Sequence, residues 1–231
     1  MRPLVSAVRA GLLCVARATR SSAILCLALS IVALPTSAAT FRLKFGTENA
    51  ASHPVSKAMD YFAKKVEADS GGEIKVATFP GEALGKARDM VEMVQLGTLD
   101  ICTVTAGVVS NFVPAMDFFA LPFLWQDQDH LQRAVDGELG EILKAEMAKS
   151  GLLALGFSTS GARQLYTNKT ITGLEDVKGL KVRTMKVPQI VDTWKELGAI
   201  PVPVAWGEVY QALQTGLVDA AESSFLGWIS Q

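Results

Sequence analysis

Phe41-Arg42-Leu43-Lys44-Phe45 alternates apolar and basic residues. After a polar break, Val55, Ala58, Met59, Phe62, Ala63 and Val66 recur at helical spacing, and Ile74-Lys75-Val76-Ala77-Thr78-Phe79 alternates again. The hydrophobic period thus switches from 2 to 3.6 and back, which reads as strand, amphipathic helix, strand. Ser52 offers an N-cap, Lys64, Lys65 and Glu67 fall on the wet side, and Asp69-Ser70-Gly71-Gly72 stops the helix. Pro80-Gly81 breaks the second strand, a helix is predicted from about Lys86 to Leu96, Gly97 ends it, and Leu99 to Val104 reads as a more buried third strand. Strand–helix–strand at this rhythm means crossover units and a mostly parallel sheet, an α/β fold.

Downstream, Phe118-Phe119-Ala120-Leu121-Pro122-Phe123-Leu124-Trp125 is an apolar patch that reads as core. Asp129 to Lys149 is predicted as one long amphipathic helix, with acid at its start and Lys149-Ser150-Gly151 at its end. Leu152 to Phe157 is predicted as a strand, and Ser158-Thr159-Ser160-Gly161 as the polar turn where the chain crosses into a second lobe. Lys181 to Thr184, Pro188 to Leu197 and Trp206 to Gln214 then read strand, helix, helix. The expected organisation is residues 1–39 as a leader, 40–160 as a first α/β lobe and 161–231 as a second.

The leader is expected from residue chemistry. Residues 1–39 hold Arg2, Arg9, Arg17 and Arg20, no acid, an apolar run from Ala23 to Leu34 broken by Ser30, and the small residues Ser37-Ala38-Ala39. That is a secretory signal pattern, with cleavage expected after Ala39. A dozen apolar residues fall short of the roughly 20 that span a bilayer. A retained anchor and a mitochondrial presequence are the weaker alternatives. With those four arginines set aside, the formal charge of −1 for the whole chain becomes −5 for the rest. This mildly acidic balance gives no footprint for nucleic acid.

Little in the composition supports catalysis. Cys14 and Cys26 fall in the leader, so Cys102 stands alone in an apolar Ile101-Cys102-Thr103 setting and reads as an inert core thiol. The two histidines, His53 and His130, have no metal-ligand spacing, so no metal or other cofactor is expected. Ser158 and Ser160 in Gly156-Phe157-Ser158-Thr159-Ser160-Gly161 lack the Gly-x-Ser-x-Gly spacing of a hydrolase elbow. An exported hydrolase is therefore the weaker reading, and no catalytic residue is assigned.

The binding chemistry centres on Gly173-Leu174-Glu175-Asp176-Val177-Lys178-Gly179-Leu180-Lys181-Val182-Arg183, with Arg163 twenty residues earlier in Gly161-Ala162-Arg163. A guanidinium at the end of a strand presents a planar fork of donors that matches a carboxylate. Arg183 could equally pair with a surface acid such as Asp176 or Glu175. Further motifs follow in Trp206-Gly207-Glu208-Val209-Tyr210-Gln211-Ala212-Leu213-Gln214-Thr215-Gly216 and Val218-Asp219-Ala220-Ala221-Glu222-Ser223. Upstream stand Phe45-Gly46, Leu84-Gly85 with Arg88 and Met90, Leu96-Gly97-Thr98-Leu99-Asp100, and Leu121-Pro122-Phe123. In this order they resemble the solute-binding proteins of TRAP transporters, of the C4-dicarboxylate-binding periplasmic type.

The resemblance implies a two-lobed periplasmic-binding-protein (Venus flytrap) fold that closes around its ligand. It implies a non-enzymatic periplasmic receptor that delivers an organic acid to the membrane subunits of a TRAP transporter. Carried over by position, Arg183 is the main carboxylate clamp, Arg163 a second anion contact and Trp206 the aromatic over the ligand. Ser223 stands where the family often has asparagine, which leaves the identity of the acid open. Glu48 and Thr105 fall at positions that often face the cleft from the first lobe, and a glutamate there suits a ligand hydroxyl better than another carboxylate. An exported sensing domain would bind the same acids. Members of the family run well beyond the Asp219–Glu222 region, so the chain is expected to be C-terminally truncated, with its second half incomplete.

Overall fold

The computed structural model describes residues 41–230. The expected leader, residues 1–39, lies outside the described residues. Strand β1 (Phe41–Thr47) leads through helix α1 (Pro54–Asp69) to β2 (Ile74–Phe79), then through α2 (Ala87–Gln95) to β3 (Ile101–Thr103). The three strands form a parallel sheet in the order β2-β1-β3, with Phe41 opposite Ile74 and Phe45 opposite Ile101. The sequence-based expectation of two crossovers is met. One detail differs. The cap of α1 is His53, whose Nδ1 accepts from the Val55 N–H at 3.1 Å, and Pro54 takes the first helical position. A proline there has no N–H to leave unpaired, so the helix starts one residue later than Ser52 would set it. Ser52 Oγ instead donates to the Ser230 carbonyl at 3.1 Å.

Gly46 lets this sheet sit close to α2. A Cβ built at Gly46 would lie 2.8 Å from Met90 Sδ, and Met90 is fully buried. The core below the sheet gathers Val91 of α2, Val109 of the single turn α3 (Ala106–Val109), Met116 of the 3-10 segment Pro114–Ala120, Leu143 of a later helix, and Val113 and Leu152 from the connections. The apolar patch divides. Phe118 and Phe119 stack at 4.4 Å between ring centres and pack on that core, whereas Leu121, Phe123 and Leu124 are exposed. Cys102 on β3 is half-buried, and burial pushes its thiol up to about 11.

The expected single helix over 129–149 is two: α4 (Gln128–Asp136) and α5 (Glu138–Lys149). Asp127 caps the first through a bond from the His130 N–H. Gly137 between them is extended, with φ −102° and ψ −153°. Helical periodicity survives a one-residue break, so the sequence pattern did not reveal it. The predicted strand over 152–157 is also corrected. This stretch is irregular, with Leu153 and Leu155 exposed, because neither sheet among the described residues offers it a ladder partner.

The second sheet contains β4 (Arg163–Thr167), β5 (Lys181–Thr184), β6 (Ile200–Pro203) and β7 (Ala220–Ser224) in the order β4-β7-β5-β6. β5 runs parallel to β6 and β7, and β4 runs antiparallel to β7. Helix α6 (Pro188–Glu196) makes the crossover from β5 to β6. Residues 206–214 form a 3-10 turn at Trp206–Glu208 followed by α7 (Val209–Gln214), and α8 (Phe225–Ile229) follows β7. Pro201 and Pro203 hide β6 from strand signals, yet β6 is an edge strand, where a missing N–H costs no ladder bond. Val177, Leu180, Val182, Ala199 and Ala220 make the core of this half.

The break between α4 and α5 is sterically sharp. A Cβ at Gly140 would lie 1.8 Å from the Val135 carbonyl oxygen, whereas nothing lies within 4 Å of one at Gly156. Gly140→Ala is expected to cost about 1–3 kcal/mol by overpacking, lowering Tm by roughly 2–12 °C. Gly156→Ala should leave Tm within about 1 °C, since surface changes are typically small. Calorimetry of the two variants checks both.

Candidate binding cleft

All six residues singled out in the sequence line one cleft of about 260 Å³. Strand direction explains why. Arg183 and Ser223 lie toward the carboxyl ends of β5 and β7, and Arg163 starts the antiparallel β4 opposite Ser224. Glu48 directly follows β1 and Thr105 lies just past β3. Both sheets thus offer their carboxyl edges to the same space, the usual position for a ligand in open parallel sheets.

Arg183 is the largest fully buried side chain of the described residues, 2 % exposed. Its Nε–H donates to the Val204 carbonyl at 2.9 Å and Nη1–H to the Glu222 carbonyl at 3.4 Å. The guanidinium carbon lies 5.4 Å from the centre of the Trp206 ring, within cation–π range. Loss of hydration lowers its pKa to about 10, the neighbouring Arg163 adds to this, and Glu222, Glu48 and Glu82 oppose it. It therefore remains a cation at neutral pH. Asp176 and Glu175 are engaged elsewhere. Asp176 accepts from the Thr172 and Gly173 backbone, and Glu175 pairs with Lys178. The surface-pair alternative for Arg183 does not hold.

Arg163 forms an ion pair through Nε with the buried carboxylate of Glu222, and its Nη2–H reaches the Glu222 carbonyl at 3.2 Å. The Glu222 side chain is only 3 % exposed, and its other oxygen accepts from the Met185 N–H at 3.4 Å. Glu222 was not singled out in the sequence. Its signal was a lone acid within the small, buried run Ala220-Ala221-Glu222-Ser223-Ser224, since a buried charge needs a partner.

The facing wall is acidic and amide-bearing. Glu48 Oε1 accepts from the Thr105 N–H at 3.2 Å and from its hydroxyl at 2.8 Å. Asn49 Nδ2–H donates to Thr47 Oγ1 at 3.1 Å. Glu82 sits in the left-handed region at φ 59°, an uncommon conformation outside glycine. Its Oε1 accepts from the Gly207 N–H at 3.2 Å, across the cleft. Beside it Lys86 pairs with Glu208, an exposed second bridge over the rim. Burial raises the Glu82 pKa, the Gly207 bond opposes this, and Glu48 adds to it. These rim groups, with Asn49 and His53, were also missed, because their partners stand more than a hundred residues away or lie in turns with no period.

Residues 45–229 match the model of the bacterial extracellular solute-binding protein family 7. The chain belongs to that family. It is 37 % identical over 189 residues to a solute-binding protein of Verminephrobacter eiseniae, covering 81 % of this chain and 56 % of the relative. A TRAP periplasmic solute-binding protein from Roseobacter denitrificans, solved with bound β-D-glucuronate, superposes with a TM-score of 0.76 at 38 % identity, covering 79 % of this chain and 61 % of that one. A second, from a Polaromonas species and bound to D-erythronate, gives 0.79 at 34 % identity over 82 % and 63 %. The family 7 chain described here therefore spans a little over half the length of the first of these relatives and about three fifths of the solved structures. Its mixed α/β architecture with parallel-dominated sheets matches those structures.

The Glu222 carboxylate pairs with Arg163, and its charge also favours the cationic form of Arg183. Glu222→Gln keeps its shape and removes the charge, and is expected to destabilise by about 2 kcal/mol, since groups bonded to a buried charge lose their compensation. Thermal unfolding should then fall by roughly 4–8 °C. An unchanged Tm would show that the pair contributes nothing net.

Proposed function

We propose that the cleft captures a hydroxylated monocarboxylate, a sugar acid, as the receptor of a TRAP-type transporter in the periplasm. The carrying observation is Arg183. A guanidinium has five N–H donors, and the hydrogen bonds of Arg183 within the described residues employ its Nε–H and one N–H of Nη1. A carboxylate that accepts the remaining donors bidentately offsets the burial of the charge, and Trp206 covers the pair.

Charge balance favours one carboxylate over two. Of the cations lining the cleft among the described residues, Arg163 is matched by Glu222, Lys86 by Glu208 and Arg88 by Glu92, which leaves the exposed Lys186 and, as the buried one, Arg183. Glu48 and Glu82 line the same cleft. A second ligand carboxylate would approach those acids unfavourably, whereas hydroxyls can donate to them. The glucuronate and erythronate of the two similar structures have this make-up, and the C4-dicarboxylates suggested by the family resemblance do not. In this reading Arg163 presents its outward N–H to the anion while its Nε stays with Glu222, and Ser223 and Thr105 offer hydroxyls.

Residues before the crossing at 158–161 make one lobe and those after it the other, hinged there. The ligand touches both lobes, so it binds the closed form better and shifts the population toward it. Gly207 to Glu82 and Lys86 to Glu208 span the rim in that form. The closed receptor is then offered to the membrane subunits. The cleft binds and releases its acid unchanged, with no turnover.

Titration of the chain with D-glucuronate, D-galacturonate, D-erythronate and succinate, followed by tryptophan fluorescence, tests this. At least one sugar acid should saturate, with succinate weaker. Arg183→Lys should lose about 10–100-fold, because an ammonium cannot reproduce the fork. Arg183→Met should lose all measurable binding. Binding of succinate alone would replace the sugar acid with a dicarboxylate, and no response to any acid would overturn the reading.

A further inference from the structure

His53 is buried, 2 % exposed, and lines the cleft on the same wall as Glu48 and Asn49. Its Nδ1 accepts the Val55 N–H at 3.1 Å to cap α1. A ring nitrogen that accepts carries no proton, so in the neutral imidazole the proton is on Nε2. The hydrogen bonds His53 makes within the described residues are this cap and two backbone bonds, to Ala50 and from Lys57. Its Nε2–H is therefore an unspent donor on a buried ring at the cleft wall.

We propose that His53 is a specificity-determining residue, whose Nε2–H donates to a hydroxyl oxygen of the bound acid. The inference rests on the sugar-acid reading and adds to it. Glu48 uses Oε1 for Thr105, Glu82 uses Oε1 for Gly207 and Asn49 gives one of its two Nδ2–H donors to Thr47, so Glu48 Oε2, Glu82 Oε2 and Asn49 Oδ1 are acceptors left on this wall among the described contacts. A buried donor such as the His53 Nε2–H beside acceptors matches a hydroxyl, which accepts and donates at once. A methylene satisfies neither, and a carboxylate only accepts. Such mismatches are where binding sites discriminate most, because a buried polar group is left unpaired.

Burial lowers the His53 pKa, which favours the neutral ring. A neutral ring can hold both jobs. Protonation would place a proton on Nδ1 and end the cap on Val55.

His53→Asn separates the two roles. Asparagine is a good N-cap and can still accept from Val55, but its short side chain ends before the outer edge of the imidazole. Whichever of D-glucuronate, D-galacturonate and D-erythronate binds tightest to the wild type serves as the probe. His53→Asn is expected to raise its Kd about three- to tenfold, the share of one neutral hydrogen bond, with Tm within about 2 °C of wild type. Nitrogen-15 NMR of the wild-type imidazoles should show His53 in the Nε2–H form, with that resonance moving on saturation while His130 serves as the internal reference. An unchanged Kd in His53→Asn, or an Nε2–H resonance that does not move, overturns the inference and leaves the sugar-acid reading standing. A wild-type chain that binds none of the three acids overturns both.

Discussion

A buried guanidinium with no ion-pair partner among the described residues is the constraint on which this structure turns. Arg183 sits on the central part of the second sheet, anchored by the Val204 and Glu222 carbonyls and covered by Trp206. Little of it is exposed, so its charge is compensated by fixed dipoles, by nearby acids and by whatever enters the cleft. Glu222 is arranged to compensate Arg163 directly, and only its backbone carbonyl reaches Arg183. The two arginines are therefore unlike in role. One is a matched pair that fixes the wall, and the other keeps donors in reserve.

The scaffold converts that constraint into a site. Parallel strands bring Arg183 and Ser223 to one edge of their sheet, and the first sheet brings Glu48 and Thr105 to the same cleft. Glu48 is itself oriented by the Thr105 backbone and hydroxyl. His53 belongs to both fold and site, since its Nδ1 closes α1 and the residue lines the cleft. A cationic wall facing an acidic, amide-bearing wall is polar in a directional way.

Much of the first sheet was legible, because the residues that decide β1, α1 and β2 are neighbours in sequence and their periods are unbroken. The second sheet was less so. β6 carries Pro201 and Pro203, which suppress strand signals, and β7 is Ala220-Ala221-Glu222-Ser223-Ser224, with little apolar bulk although every residue is buried. Leu152–Phe157 is the reverse case, with apolar bulk but no strand, because ladder pairing is a property of neighbours and not of the segment. Gly137 ended a helix whose period continues past it, since the pattern of apolar residues records burial and not hydrogen-bond continuity.

The sequence by itself determined the α/β class, the family and the six positions that converge on the cleft. Local period and the order of short motifs carry that information along the chain. Tertiary structure alone decided how the charges divide. Whether Arg163 or Arg183 takes Glu222, whether Glu82 reaches Gly207, and which nitrogen of His53 remains available are set by distances between residues 2 to 125 positions apart. Hydrogen bonds and desolvation act over a few ångströms in space, and nothing in the linear spacing of residues encodes those contacts until the sheets are assembled.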